Sequence, residues 1–236
     1  LGEDVYGQQL LDLLSKEGIS TRAIVSSKFR PTTVKTRVIA GGHHIVRIDE
    51  EVTTLLNPEE EQAILRVLVS ELEHHRPDVI ILEDYNKGLL TPHLIHELIE
   101  KARVLDIPTA VDPKKDHFFE YKGCTLFKPN LKEVREGLKM EINPKVESSL
   151  FNAVKELEDK MQNQMTLLTL SEYGMLIHSN GNWKHEHAHP RKVVDVSGAG
   201  DSVIATASLA LAVGMSMEDL VYCSNLAGGL VCEKVG

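Results

Sequence analysis

Apolar and polar positions follow two rhythms along this chain. From Val79 onward, short unbroken apolar runs alternate with longer amphipathic stretches. Val79-Ile80-Ile81-Leu82, Thr109-Ala110-Val111, Thr125-Leu126-Phe127 and Met165 to Leu170 have the length and continuity of buried parallel strands. Between them, 92–105 (after Thr91-Pro92) and 145–160 carry helical periodicity. Met175 to His178 and Trp183 to His187 flank Asn180-Gly181 and predict a hairpin. Val193-Val194 then leads into a run of small residues, followed by helices at 201–213 and 217–234. Such alternation predicts an α/β fold with a mainly parallel sheet.

The first third reads differently. Val5, Leu10, Leu11, Leu13 and Leu14 lie on a helix over 4–17 that Gly18 stops. Val34, Thr36 and Val38 alternate with charged neighbours, and Gly41-Gly42 turns the chain back into Ile45-Val46-Arg47-Ile48. That spacing predicts a β-hairpin, a small lid over 32–49 attached to the sheet. Residues 58–75 predict a helix, with Asn57 as N-cap and Pro58 in the first helical position.

Of 236 residues, 42% are hydrophobic and 5% aromatic, enough for one substantial core. The net charge of -9, with no basic run, argues against a nucleic-acid face. No apolar stretch reaches the roughly 20 residues of a membrane span, and no signal peptide is recognised. Cys124, Cys223 and Cys232 form an odd, sparse set without CxxC spacing, as expected of a reducing, cytoplasmic compartment.

The small-residue run is VDVSGAGDS, 194–202. It lies where ligands gather in such sheets, outside the carboxyl ends of the strands. Gly198 and Gly200 let backbone approach an anion, and the following helix offers unpaired N–H groups. Asp201 is the odd residue there. It is either a helix cap or a general base beside a transferring phosphoryl group. The P-loop pattern is absent, and a GxGxxG reading fails at Val203.

DVSGAGDS resembles the DTxGAGD signature of the ribokinase-like (pfkB) sugar kinases. The resemblance implies a three-layer ribokinase-like fold and ATP-dependent phosphoryl transfer with Mg²⁺. It makes Gly198, Ala199 and Gly200 an anion hole and Asp201 the catalytic base. Lys128-Pro129-Asn130-Leu131-Lys132-Glu133 resembles the PNxxE element, so Asn130 and Glu133 would organise Mg²⁺ and nucleotide phosphates through water. Read from the residues alone, the same pair is an N-cap with its capping-box partner. Leu168-Thr169-Leu170-Ser171-Glu172-Tyr173-Gly174 resembles a nucleotide-contacting strand end, with Ser171 in place of a glycine, and this marks Thr169, Ser171 and Gly174. Asn225-Leu226-Ala227 resembles the helical segment beside adenine.

EDYNKGLLT (83–91), VDPKKDHFFEYKG (111–123) and NLAGGLVCEKVG resemble the heptose 7-phosphate kinases of this family most. There the kinase unit is often fused to an adenylyltransferase. That implies transfer to O1 of D-glycero-β-D-manno-heptose 7-phosphate, toward ADP-heptose and lipopolysaccharide. The alternatives are another kinase of the family, for ribose, fructose or a nucleoside, or a non-catalytic nucleotide- or sugar-phosphate-binding module. Gly2, Asp4, Gly7 and Leu10 match a GxDxxGxxL pattern. The family places about 70 residues with a GGxxxN element before it, so 1–236 is expected to be one kinase domain incomplete at both ends.

Lys35, Arg37 and Arg47 on the hairpin are either solubilising charges or a grip on a sugar phosphate. Asp84 and Lys87 follow a strand end, and are capping residues or ligand contacts. Lys114 and Lys115 are read as solvated. His185, His187 and His189 alternate, but no Cys or further ligand is near in sequence, so no zinc site is expected. The related kinases close the sugar site with a lid, and the heptose kinases pair lids between subunits. A homodimer through the hairpin is therefore expected.

Overall fold

The structure, a computed structural model, describes residues 1–40, 43–189 and 191–233. The chain divides into two compact units, Leu1–His75 with Asn86–Leu94, and Arg76–Tyr85 with Ile95–Gly236.

In the first unit, helix α1 (Val5–Lys16) starts at Asp4, whose carboxylate accepts the Gly7 N–H. Gly18 takes a left-handed φ of 72° just past its end, as a glycine stop requires. Strands β1 (Val34–Ala40) and β2 (His43–Glu50) pair antiparallel, with a register shift between Val38 and Ile39. The predicted turn at Gly41-Gly42 lies outside the described residues. The hairpin is a two-stranded sheet of its own rather than an attachment hydrogen-bonded to the larger sheet. Helix α2 (Pro58–His75) begins as the sequence predicts: Asn57 Oδ1 accepts the Glu60 N–H at 2.9 Å, and Glu60 answers the Asn57 N–H.

The second unit holds a six-stranded sheet. Strand β3 (Ile80–Glu83) is followed by helix α3 (Pro92–Val104), which Thr91 caps, and then by β4 (Thr109–Asp112) and β5 (Leu126–Phe127). Helix α4 (Leu131–Leu138), which the apolar pattern alone did not reveal, and α5 (Glu147–Met161) lead to β6 (Met165–Thr169). Strands β7 (Met175–Ser179) and β8 (Asn182–Glu186) form the predicted hairpin. Helices α6 (Ala199–Ala212) and α7 (Met217–Val231) follow. Val193-Val194 is not a strand, and the Val194 N–H donates to the Cys232 carbonyl instead.

The sheet order is β3-β4-β5-β6-β7-β8. The first three pairings are parallel and the last two antiparallel. Strands β4, β5 and β6 are nearly continuous buried runs, whereas β3, at the end of the sheet, leaves Ile81 exposed. Ala110, Leu126, Leu167 and Ile177 of the sheet pack with Val203, Ile204 and Ala207 of α6 and Leu220 and Val221 of α7 in one core. This packing brings the start of α6 to the carboxyl ends of β3 and β4. Among the described residues, no helix is long and apolar enough to cross a membrane.

Candidate active site

The parallel strands of the second unit end in polar residues. Glu83 closes β3, Asp112 closes β4, and Lys128 follows β5. Carboxylate oxygens of Glu83, Asp112 and Asp201 lie within 4.8 Å of one another. The Lys128 ammonium meets Asp112 at 2.9 Å, with both side chains almost fully buried.

Asp201 reaches this group from the third position of α6. The helix starts two residues earlier than the pattern predicts, so Ala199 and Gly200 belong to its first turn. Gly198 is the N-cap, at a left-handed φ of 75°, and has no side chain to cap with. Among the described residues, the Gly200 and Asp201 N–H groups have no hydrogen-bond partner, and the first helical bond runs from Ser202 N–H to the Gly198 carbonyl. Asp201 is the acidic residue of that first turn. This placement accommodates both sequence readings, an acid favoured in a first helical turn and a base beside unpaired N–H groups. Before the helix, Asp195 Oδ1 accepts both the N–H and the hydroxyl of Ser197, at 2.9 and 2.8 Å.

Chain alternation sorts the EDY stretch. Asp84 is buried; it accepts the Tyr121 hydroxyl at 2.8 Å, and its N–H bonds the Asp112 carbonyl. Its neighbours turn the other way. The Tyr85 hydroxyl lies 3.4 Å from Glu83 Oε1, and it also interacts with Asp201. Burial, followed by the Asp201 charge, pushes the Glu83 carboxyl above its usual range. Burial and then a hydrogen bond to Asp201 push the Tyr85 hydroxyl up. Glu83, Tyr85, Asp112 and Lys128 were not singled out as site residues from sequence. The available signal was position, since each sits at or just past the carboxyl end of a parallel strand.

Asn130 and Glu133 form the capping box of α4: Asn130 Oδ1 accepts the Glu133 N–H at 2.9 Å and Glu133 Oε2 accepts the Asn130 N–H at 2.8 Å. Glu133 Oε1 faces Lys114 at 3.6 Å. Burial raises the Glu133 carboxyl above its usual range, and the Asp112 and Lys128 charges also act on it. With one oxygen held by backbone and the other beside an ammonium, Glu133 suits contact with a hydrated Mg²⁺ rather than direct ligation.

Thr169 lies beside Asn130, and its N–H bonds the Pro129 carbonyl. Ser171 opens a 3₁₀ turn at a φ of 53°, and Gly174 closes it at 89°. A Cβ at Gly174 would stand 2.0 Å from the Glu186 carbonyl oxygen. Buried Asn225 on α7 donates to the His187 carbonyl at 2.9 Å. The ring centroids of His185 and His187 lie 4.3 Å apart with the planes tilted by 43°, and His185 Nε2 donates to the Tyr173 carbonyl.

The lid charges belong to the first unit. Lys35 bonds Glu51 at 2.8 Å and lies 3.4 Å from Asp49; Arg47 reaches Asp49 at 3.0 Å; Lys87 also bonds Glu51. Glu51 is held below the usual glutamate range by these two lysines, and Lys35 is raised by Glu51. Arg37 sits opposite Arg47 in the hairpin register.

The architecture is that of a ribokinase-like kinase. Phosphofructokinase-2 from Escherichia coli, in complex with potassium, superposes with a TM-score of 0.82 at 21% identity, over 100% of this chain and 74% of that one. Ribokinase from Arabidopsis thaliana, complexed with ribose and ATP, gives 0.77 at 17% identity, over 100% and 75%. At these identities the likeness shows the fold alone. The family follows from sequence: the model for pfkB family carbohydrate kinases matches residues 1–236, and the chain belongs to that family. Among curated relatives, the bifunctional protein HldE of Wolinella succinogenes is 35% identical over 236 residues, and that of Geobacter sulfurreducens 38% over 237. Each match covers 100% of this chain but only 49% and 48% of the relative, so the chain spans about half the length of the curated relatives it matches.

Proposed function

We propose that this chain is the kinase part of a heptose 7-phosphate kinase. It transfers the γ-phosphoryl group of ATP to O1 of D-glycero-β-D-manno-heptose 7-phosphate, toward ADP-heptose for lipopolysaccharide. The observation that carries the assignment is Asp201, a carboxylate in the first turn of α6 beside the Gly200 and Asp201 N–H groups, which have no partner among the described residues. Asp201 takes the proton from the O1 hydroxyl. O1 bonds to the γ-phosphorus as the bridging bond to ADP breaks, and the backbone of Gly198, Ala199 and Gly200 holds the charge of the transferring group. Asn130 and Glu133 would hold Mg²⁺ through water, and the ion would supply neutralisation of phosphate charge. Thr169, Ser171, Gly174 and Asn225 belong to the nucleotide side.

Residues 1–236 belong to one kinase domain in this assignment, with the hairpin at 32–49 as its lid. Lys35, Arg37, Arg47 and Lys87 recognise the substrate's existing phosphate, and Asp84 serves by holding Tyr121. The protein works in the cytoplasm as a homodimer through the hairpin. Val38, Ile39, Ile45, Val46 and Ile48 are exposed there, and a second copy would cover them. The test is an ADP-release assay on the full-length protein with heptose 7-phosphate, free mannoheptose, ribose and fructose 6-phosphate. Heptose 7-phosphate should be turned over fastest. A preference for free ribose would leave only the family-level assignment, and no turnover of any sugar would favour a binding module.

A further inference from the structure

Lysine is almost never fully buried unless it is paired. Lys128 is 3% exposed just past the end of β5, and Asp112 is its ion-pair partner at 2.9 Å. An ammonium has three N–H donors, and no second hydrogen-bond partner is seen for this one among the described residues. The pair lies beside the start of α6. A Cβ built at Gly200 would meet Lys128 Nζ and Asp112 Oδ2, each at 3.8 Å. That is ordinary van der Waals distance, so a methyl would fit there without strain. Glycine instead leaves the ammonium open toward the Gly200 and Asp201 N–H groups, which have no partner among the described residues.

The rest of this region is acidic. Glu83, Asp112 and Asp201 bring carboxylate oxygens within 4.8 Å of one another, and Glu83 interacts with both aspartates. Asp195 lies in the loop before α6, where it accepts the Ser197 N–H. Glu133 faces Lys114 at 3.6 Å and also feels the Lys128 charge. These carboxylates oppose an anion at the helix start, and Lys128 is the buried positive charge that answers them.

We propose that Lys128 is a further catalytic residue, an ammonium on the floor of the anion hole that holds the transferring phosphoryl group together with the Gly200 and Asp201 N–H groups, with Asp112 keeping it aimed there. The inference rests on the assignment of the GAGD loop as the phosphoryl site. A fixed positive charge away from water stabilises the transferring group without having to reorganise as the reaction proceeds. Lys128 donates hydrogen bonds and keeps its proton throughout. The bond from O1 to the γ-phosphorus forms as the bond to ADP breaks, and the O1 proton goes to Asp201.

The test separates this role from the part the pair plays in stability. Lys128→Met alone leaves Asp112 buried without a partner, so the informative variant is Lys128→Met with Asp112→Leu, in which neither charge is left over. In the full-length protein that double variant should melt near the wild type and yet lose about 10²-fold or more in kcat. A folded double variant within about threefold of the wild-type kcat would overturn the proposal. A substrate-free readout uses inorganic phosphate as the probe, followed through the amide NMR signals of Gly200 and Asp201. The double variant should bind it about tenfold or more weakly than the wild type. Asp112→Asn keeps the ammonium and removes a neighbouring negative charge, so it should bind phosphate at least as tightly as the wild type. Equal binding by wild type and double variant, or a loss in Asp112→Asn as large as in the double variant, would refute the role of Lys128. If phosphate binding behaves as expected while no sugar is phosphorylated, Lys128 stands as part of an anion site and the kinase assignment falls. If phosphate moves neither amide in the wild type, the anion hole is refuted, and the role of Lys128 with it.

Discussion

Asp201 is one residue with two sequence readings, and a substitution separates them. A cap at the third helical position turns back to the N-cap backbone, but Asp201 points to Glu83 and Asp112. Asp201→Asn should therefore reduce phosphoryl transfer by about 10²–10⁴-fold. ATP binding, measured by calorimetry, should persist; a variant keeping a tenth of the wild-type rate would exclude the base role. Glu133 shows the reverse ambiguity, because its capping box is present and yet it lies within reach of the buried Asp112–Lys128 pair. Glu133→Gln should weaken the Mg²⁺ dependence of turnover. Its effect on stability has a sign. Burial raises the carboxyl above its unfolded value, so the wild type loses stability as pH rises through that range, and the glutamine variant does not. Thermal melts from acid to neutral pH should show the variant gaining on the wild type. Unchanged Mg²⁺ titration would leave Glu133 a cap only.

At the scale of elements, the site is held by strand ends that cannot shift independently. Lys128 and Asp112 are buried together between β4 and β5, and a buried pair is costly to break from one side. Lys128→Met should destabilise the protein by about 3 kcal/mol in chemical unfolding. Adding Asp112→Leu should recover most of that loss, since the cost comes from the charge left without a partner. The turn after β6 depends on backbone geometry instead. Gly174 combines a φ of 89° with a carbonyl 2.0 Å from where a Cβ would stand. Gly174→Ala should cost about 2 kcal/mol or more, while Gly181→Ala in the open β7–β8 turn should cost less, because a Cβ there meets nothing within 4 Å.

For the whole molecule, the acidic balance makes the lid cations informative. In a chain of net charge -9, Lys35, Arg37 and Arg47 gather on one hairpin. Lys35, Arg47 and Lys87 hold Asp49 or Glu51, so a substrate phosphate would compete with those carboxylates. A charge-assisted contact to phosphate is worth roughly 1.5–3 kcal/mol, and the competition takes part of that back. Lys35→Ala and Arg37→Ala should each erode the preference for heptose 7-phosphate over the free sugar, read as a ratio of kcat/KM. Light scattering should show a dimer at micromolar concentration, and Ile45→Asp with Ile48→Asp should shift it toward monomer.

Most elements were legible from local pattern. Apolar runs marked β4 and β6 because strands buried on both faces need no alternation, β3 is an apolar run at the sheet's end that leaves Ile81 exposed, and Asn57-Pro58 and Gly18 marked helix ends through capping chemistry and left-handed backbone. The GAGD run marked a candidate site because glycines let backbone approach an anion at a helix start, while Asp201 read equally as a cap, and the base role came from the resemblance to the DTxGAGD signature. Helix α4 escaped the pattern because its eight residues are too short for clear periodicity, although its capping box was readable. The fate of the EDY stretch was decided only by tertiary structure. Three adjacent polar residues look alike in sequence, yet the pleat buries Asp84 against Tyr121 and turns Glu83 and Tyr85 toward Asp201. The pairing of Asp112 with Lys128, sixteen positions apart, likewise exists only because β4 and β5 lie side by side in parallel. Sequence determines which residues end the strands, but which of those ends meet follows from strand order, and that is set by burial of the whole core.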